Sequence, residues 1–239
     1  MSNLSAILLG QGRFAEAEVV CREISEIGER ALKPGDEITM MSLNNLGMAL
    51  RRQGKLDEAE TVLRKVVDVS VRVRGEEQPD TLAALTNLVN TLIRAGKVAE
   101  AEELGRKTFA VKTRVLGPEH AETVISQSSL GMLLCQQQKG EGEQVLRAAV
   151  EVAERPTFQS RYPPATYRSR LGSCLSNLGR HAEAERLLLP SYDALAAKLG
   201  PKDSRTQETV TEIAKLYDRW GKPQQAASWR EKTASAKAP

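Results

Sequence analysis

Apolar residues in this chain recur at helical spacing. In Leu43-Asn44-Asn45-Leu46-Gly47-Met48-Ala49-Leu50 the leucines fall at i, i+3 and i+7. That spacing lines one face of a helix and does not suit strand alternation. The arrangement returns as Leu85-Thr86-Asn87-Leu88-Val89-Asn90-Thr91-Leu92, and again around Leu130, Leu171 and Ile213. Each copy is followed by a turn. The clearest is Gln53-Gly54-Lys55-Leu56-Asp57-Glu58-Ala59-Glu60, echoed at residues 11–18, 95–102 and 178–185. Gly12, Gly54 and Gly96 stand 42 residues apart, as do Gly179 and Gly221. From Glu102 to Glu143 the step is 41, so the copy Gln138-Lys139-Gly140-Glu141-Gly142-Glu143 lacks one residue. A fixed period of this length marks a repeat architecture.

Each unit reads as two helices. The first ends at the Gly54-type glycine, which suits a left-handed C-terminal cap. The second opens with acids such as Asp57 and Glu58, favoured at the positive end of a helix, and turns Leu63, Val66 and Val67 inward. Small residues recur where the helices must cross: Gly47, Gly131, Gly172 and Ala214 on the first helix, with Val89 the exception. On the second they are Ala17, Ala59, Ala101, Gly142, Ala184 and Ala226. Gly75-Glu76-Glu77-Gln78-Pro79, Leu116-Gly117-Pro118-Glu119-His120 and Leu199-Gly200-Pro201-Lys202-Asp203 read as linkers. The fold class is all-α.

The Leu-Asn-Asn-Leu-Gly stretch at 43–47, the Gly-Lys-Leu-Asp-Glu-Ala-Glu turn at 54–60 and the Leu-Gly-Pro-Glu-His linker at 116–120 resemble tetratricopeptide repeats, in the 42-residue variety found in kinesin light chains. The resemblance covers about residues 1–235. It implies a right-handed superhelical solenoid of antiparallel helix pairs, with first helices lining a concave groove and second helices outside. The expected array is single, 1–239, with units at about 1–35 (truncated), 36–77, 78–119, 120–162, 163–202 and a cap at 203–239. Met1 stands where Leu43 stands one copy later, which fits a short opening helix or a fragment of a longer array. Arg230 replaces the Leu63-type residue, as suits the polar face of a terminal cap. The tail 232–239 reads as frayed.

The first helices, taken as about 39–53, 81–95, 123–138 and 165–178, contain no Asp or Glu but carry Arg51, Arg52, Arg94, Arg168 and Arg170. A polar-to-basic groove attracts an acidic or carboxylate-bearing segment. One column along it holds Asn45, Asn87, Ser129, Arg170 and Glu212. One turn on come Met48, Asn90, Met132, Ser173 and Lys215, then Arg52, Arg94, Gln136, Asn177 and Arg219. In peptide-binding members of the resembled family the first column often holds an Asn that bonds the ligand backbone. Asn45 and Asn87 match that pattern; Ser129, Arg170 and Glu212 depart from it. An Asn amide offers both donors and an acceptor, and Arg adds bidentate capacity for a carboxylate. The candidate peptide-binding residues are therefore Asn45, Asn87, Asn90, Arg52, Arg94 and Arg170. The asparagines also fit plain solvated surface, and the arginines could instead balance outer acids. The stretch 157–164, with Arg161, Tyr162 and two prolines, reads as irregular, a bend or a partner contact.

Composition narrows the chemistry. The 239 residues carry 34 Lys and Arg against 31 Asp and Glu, a net charge of +3, and 4% aromatics. That balance, with no aromatic platform, argues against nucleic acid as a partner. No apolar run is long enough for a membrane span. Three separated cysteines suggest no disulfide framework and a reducing, cytoplasmic setting. With only His120 and His181 there is little for a metal site, and no cofactor is expected. His120 is placed to shape the linker turn or to cap the next helix, and His181 to pack in its turn; Cys174 and His181 lack the third group a nucleophile pair needs. The expected function is a non-catalytic adaptor or scaffold, monomeric, binding an extended acidic peptide in its groove. The alternatives are a self-associating structural scaffold or the sensing part of a larger signalling protein.

Overall fold

A computed structural model describes residues 2–237, with side chains from 4 to 232; among these are twelve helices and no strand. The first helices of successive pairs are α1 (Ser2–Gly10), α3 (Glu37–Gln53), α5 (Pro79–Arg94), α7 (Ala121–Gln136), α9 (Pro164–Asn177) and α11 (Ser204–Arg219). The second helices are α2 (Phe14–Ala31), α4 (Leu56–Arg74), α6 (Val98–Leu116), α8 (Glu141–Ala153), α10 (His181–Leu199) and α12 (Pro223–Lys237). Packing divides them into two compact units, Met1–Leu116 and Gly117–Pro239. In the first, α3 packs on α2 and α4, and α5 on α4 and α6. In the second, α9 packs on α8 and α10, and α11 on α10 and α12. The expectations about Met1 and the end of the tail fall outside the described residues.

The helical period buries what it should: Leu43, Leu46 and Leu50 are all inside. Gly54 closes α3 at φ 83°, its N–H returning to the carbonyls of Arg51 and Leu50, a conformation that favours glycine. Asp36, His120 and Asp203 cap α3, α7 and α11, each accepting a backbone N–H of the first turn. The capping role read for His120 is therefore observed. One reading is corrected here. The first helices begin up to two residues earlier than their apolar pattern, so Glu37, Asp80 and Glu122 lie in their first turns. They are not free of carboxylates, because a helix N-terminus favours negative charge.

Small residues do mark the crossings. A Cβ on Gly47 would lie 2.5 Å from the Leu63 side chain, one on Gly131 2.7 Å from Leu146, and one on Gly172 2.7 Å from Leu188. The exception follows the same rule. Where Val89 replaces the glycine, the position equivalent to Leu63 is Gly105, and both are buried. Large and small have changed helices.

The turn motif also joins neighbouring pairs. The basic residue after the turn glycine reaches a glutamate of the preceding pair, buried at Glu18 and Glu60 and half-buried at Glu143: Lys55 to Glu18 at 2.8 Å, Lys97 to Glu60 at 2.8 Å, and Arg180 to Glu143 at 2.7 Å. Glu18 also accepts from Gln53 at 2.7 Å and Arg22 at 2.9 Å. Hydrogen bonding to Lys55, reinforced by Arg22 and Gln53 against the opposing effect of burial, brings its pKa down to about 2.

The fourth pair departs from its siblings. Gln138 occupies the glycine slot of the turn at φ 56°. Helix α8 is six residues shorter than α4 (13 against 19). The lost length reappears as a longer connection, 154–163. That stretch, read as irregular, is non-helical but well anchored. Phe158 meets Tyr167 edge-on at 6.2 Å, and the buried Tyr167 hydroxyl pairs with Ser160 at 3.1 Å. The cysteine reading is corrected too. Cys135 and Cys174 are joined in a disulfide between α7 and α9, Cα atoms 5.3 Å apart; Cys21 alone is a free thiol. The two stand on adjacent first helices, a proximity their sequence separation of 39 conceals.

Candidate functional site

In the first unit the predicted asparagines form a ladder across α1, α3 and α5. Asn45 Nδ2 donates to Ser5 Oγ at 3.0 Å, and Asn87 Nδ2 donates to Asn44 Oδ1 at 3.0 Å. Each is half-buried. One donor of each amide is thereby engaged, while each side-chain carbonyl stays available as an acceptor. Asn90, also half-buried, makes no side-chain hydrogen bond among the described residues. Arg94 is exposed and has no ion pair there, whereas Arg52 is half-buried. Of the acids at the N-terminal ends of these helices, Asp80 pairs with Arg74 at 2.7 Å, while Glu37 is exposed with no ion pair among the described residues. Asp36 is engaged with Thr39, whose N–H holds its carboxyl below the usual range.

Arg170 belongs to the second unit. Its Nη1 donates to Ser128 Oγ at 2.9 Å, linking α9 to α7. Next to it Ser173 donates to Glu212, which also pairs with Lys215 at 2.7 Å. Arg219 reaches Ser176 at 3.3 Å. Thus Ser128 and Ser176 serve as neutral partners for cations from the next first helix, whereas Ser173, which stands in the Asn90 column, meets a carboxylate. Sequence reasoning flagged Arg161 and Tyr162 but missed Arg205. All three, with Arg170, converge: the Tyr162 ring centroid lies within 6 Å of the Cζ atoms of Arg161, Arg170 and Arg205. The available signal was the position of Arg205 immediately after the linker, at the start of a first helix.

Other features offer less. A cleft of about 780 Å³ opens between α4 and α6, with Leu85 and Leu88 of α5 in its lining. Its charges balance, with Arg64, Lys65 and Lys107 against Asp68, Glu100 and Glu103, so it has no preference for either sign. Cys174, being in the disulfide, presents no thiolate to His181, whose ring stacks on Trp220 at 5.8 Å. Among the described residues no helix is long and apolar enough to cross a membrane.

Comparison with known proteins agrees with this architecture. The tetratricopeptide repeat family matches at residues 1–70, 39–113 and 80–155, and a second model of the same description matches 165–190. Comparison with curated proteins returns no match. Among solved structures, nearly identical TPR-like repeats of a Podospora anserina protein of kinesin light chain type are 24% identical. The match covers 83% of this chain and 94% of that one, with a TM-score of 0.61. BtubC (BKLC) from P. vanneervenii is 16% identical over 93% of this chain and 90% of its own, TM-score 0.67. A Rap protein complexed with competence and sporulation factor is 13% identical, covering 98% of this chain and 61% of its own, TM-score 0.76.

Proposed function

Because the chain belongs to the tetratricopeptide repeat family, we propose that it is a non-catalytic protein-interaction adaptor binding an extended acidic peptide along its first helices. The observation that carries this is the unmet hydrogen-bonding and charge capacity on those helices. Asn90 and Arg94 have no hydrogen-bond or ion-pair partner among the described residues, the Asn45 and Asn87 carbonyls remain open, and Arg170 meets the Ser128 hydroxyl and the Tyr162 ring but no carboxylate there. An amide ladder at half-burial suits a peptide backbone, and unpaired guanidiniums suit carboxylates. The similarity to a Rap protein solved with a bound factor supports the reading. Charge-assisted hydrogen bonds each contribute roughly 1.5–3 kcal/mol. Two or three with modest burial give an affinity of about micromolar.

The test is a random-peptide display selection with the full chain beside its N45A/N87A/R94A variant. The wild type is expected to enrich an acidic motif that the variant does not. Enrichment of the same peptides by both sinks the assignment. A second reading, self-association, rests on the exposed apolar side chains Val19 and Ile27 on α2, Leu32 just after it and Ile38 at the start of α3. Mass that rises with concentration in light scattering would favour it.

A further inference from the structure

The short α8 redirects the chain. The connection 154–163 packs its Phe158 and Tyr162 against the buried cluster of Val124, Ile125, Ala149 and Tyr167. Ser160 accepts the Tyr162 N–H at 3.2 Å. This places the Tyr162 ring 5.2 Å from Arg161, 5.8 Å from Arg205 and 5.9 Å from Arg170. The guanidiniums come from the connection, from α11 and from α9.

Their counter-charges are unequal. Arg205 is held by Asp203 through two bonds, Nε to Oδ1 at 2.9 Å and Nη2 to Oδ2 at 2.8 Å. Arg161 reaches Glu122 only at 3.4 Å and is 59% exposed. Arg168, nearby on α9, pairs with Glu154 at 3.1 Å. Arg170 meets no carboxylate among the described residues, only the neutral Ser128 hydroxyl. Glu208, on α11, adds a further negative charge acting on Arg205, so the guanidinium left unanswered is that of Arg170, with Arg161 loosely held beside it. Stacking of Arg on an aromatic face leaves its N–H edges free. The Tyr162 hydroxyl has no hydrogen bond among the described residues. One unanswered guanidinium beside a loosely held one fits a single carboxylate better than a dianionic phosphate.

We propose that Tyr162, Arg161 and Arg170 form an anchor for one Asp or Glu side chain of the bound peptide, with Arg205 fixing the ring. The proposal rests on the peptide-binding reading above. In the bound state the ligand carboxylate accepts from Arg170 and Arg161, and Tyr162 flanks it.

The probe is the consensus peptide that the wild-type chain selects from the display library, compared with copies carrying Gln or Asn at each acidic position. Affinity is read by fluorescence anisotropy. At one position, amidation is expected to weaken binding to wild type about tenfold. It should leave R161Q/R170Q binding unchanged. R161Q alone, an exposed change that preserves packing, should lose part of this discrimination and decides the matter if the double variant does not fold. If the wild type selects no peptide, the peptide-binding reading falls and the anchor with it. If peptides are selected but amidation affects wild type and variants alike, the anchor alone is overturned. Competition by inorganic phosphate stronger than by acetate at equal concentration also overturns it.

Discussion

A carboxylate buried between two helix pairs is tolerable only when its charge is answered, and Glu18 is answered by Lys55, Arg22 and Gln53. Its side chain is about 10% exposed, although Lys55 and Arg22 are each 43% exposed and partly screened. Its pKa in the fold, about 2, lies below the ordinary value near 4.5. The sign follows: the group's contribution is full above pH 4.5 and is lost as pH falls toward 2. At neutral pH this is at most on the order of 3 kcal/mol, reduced by solvent screening of the exposed cations. Urea unfolding of wild type and E18Q across pH 2–7 should show a gap that narrows steadily below pH 4.5. A gap of constant size over that range would contradict the argument. Nothing in composition distinguishes Glu18 from Glu16, which is exposed and pairs only with Arg13. The repeat does distinguish them, since Glu18 aligns with Glu60 and Glu143, both lowered by the same kind of neighbours.

At the level of the helix, the crossing sites test how far one sequence rule extends. Glycine against leucine is legible at Gly47, Gly131 and Gly172 from the period alone, because only a missing Cβ admits so close a neighbour. Val89 reads as an exception until Gly105 is aligned with Leu63, after which it is an inversion. V89G should leave a cavity and G105L should overfill the crossing, each destabilising by about 1–3 kcal/mol. V89G/G105L, by restoring the arrangement of the sibling pairs, should recover most of that loss and return within about 1 kcal/mol of wild type. Chemical denaturation of the four proteins measures this, and additive losses in the double variant would refute the exchange. The fourth pair resists such reading. Its α8 is short, so alignment by period misplaces everything from Glu154 to Pro163. Nor does the period align the disulfide. Cys135 stands four residues after Gly131, and Cys174 two after Gly172, so no shared column pairs them.

Across the whole chain, the acids of α3, α5 and α7 stand in their first turns and α11 carries three more, while acids along the second helices answer Arg and Lys. The second helices hold acids matched by Arg and Lys of the same helix or the next turn, as in Glu60 with Arg64 and Lys97. Arg94 and Arg170, on first helices, have no such match among the described residues. This division was legible in the sequence as columns. What the columns could not reveal was how much of each amide is already engaged, because Ser5 and Asn44 meet Asn45 and Asn87 only in the packed helices. The sorting leads to a contrast in salt dependence. Glu18, Glu60 and Glu143 are shielded, so raising NaCl from 50 to 500 mM should move the melting temperature little. The exposed arginines are screened as the Debye length shrinks from above 10 Å to below 8 Å. Affinity for the selected acidic peptide should fall several-fold over the same range, chiefly through a slower association rate. Binding indifferent to salt would mean that the backbone-matching asparagines dominate and that the basic face does not choose the ligand.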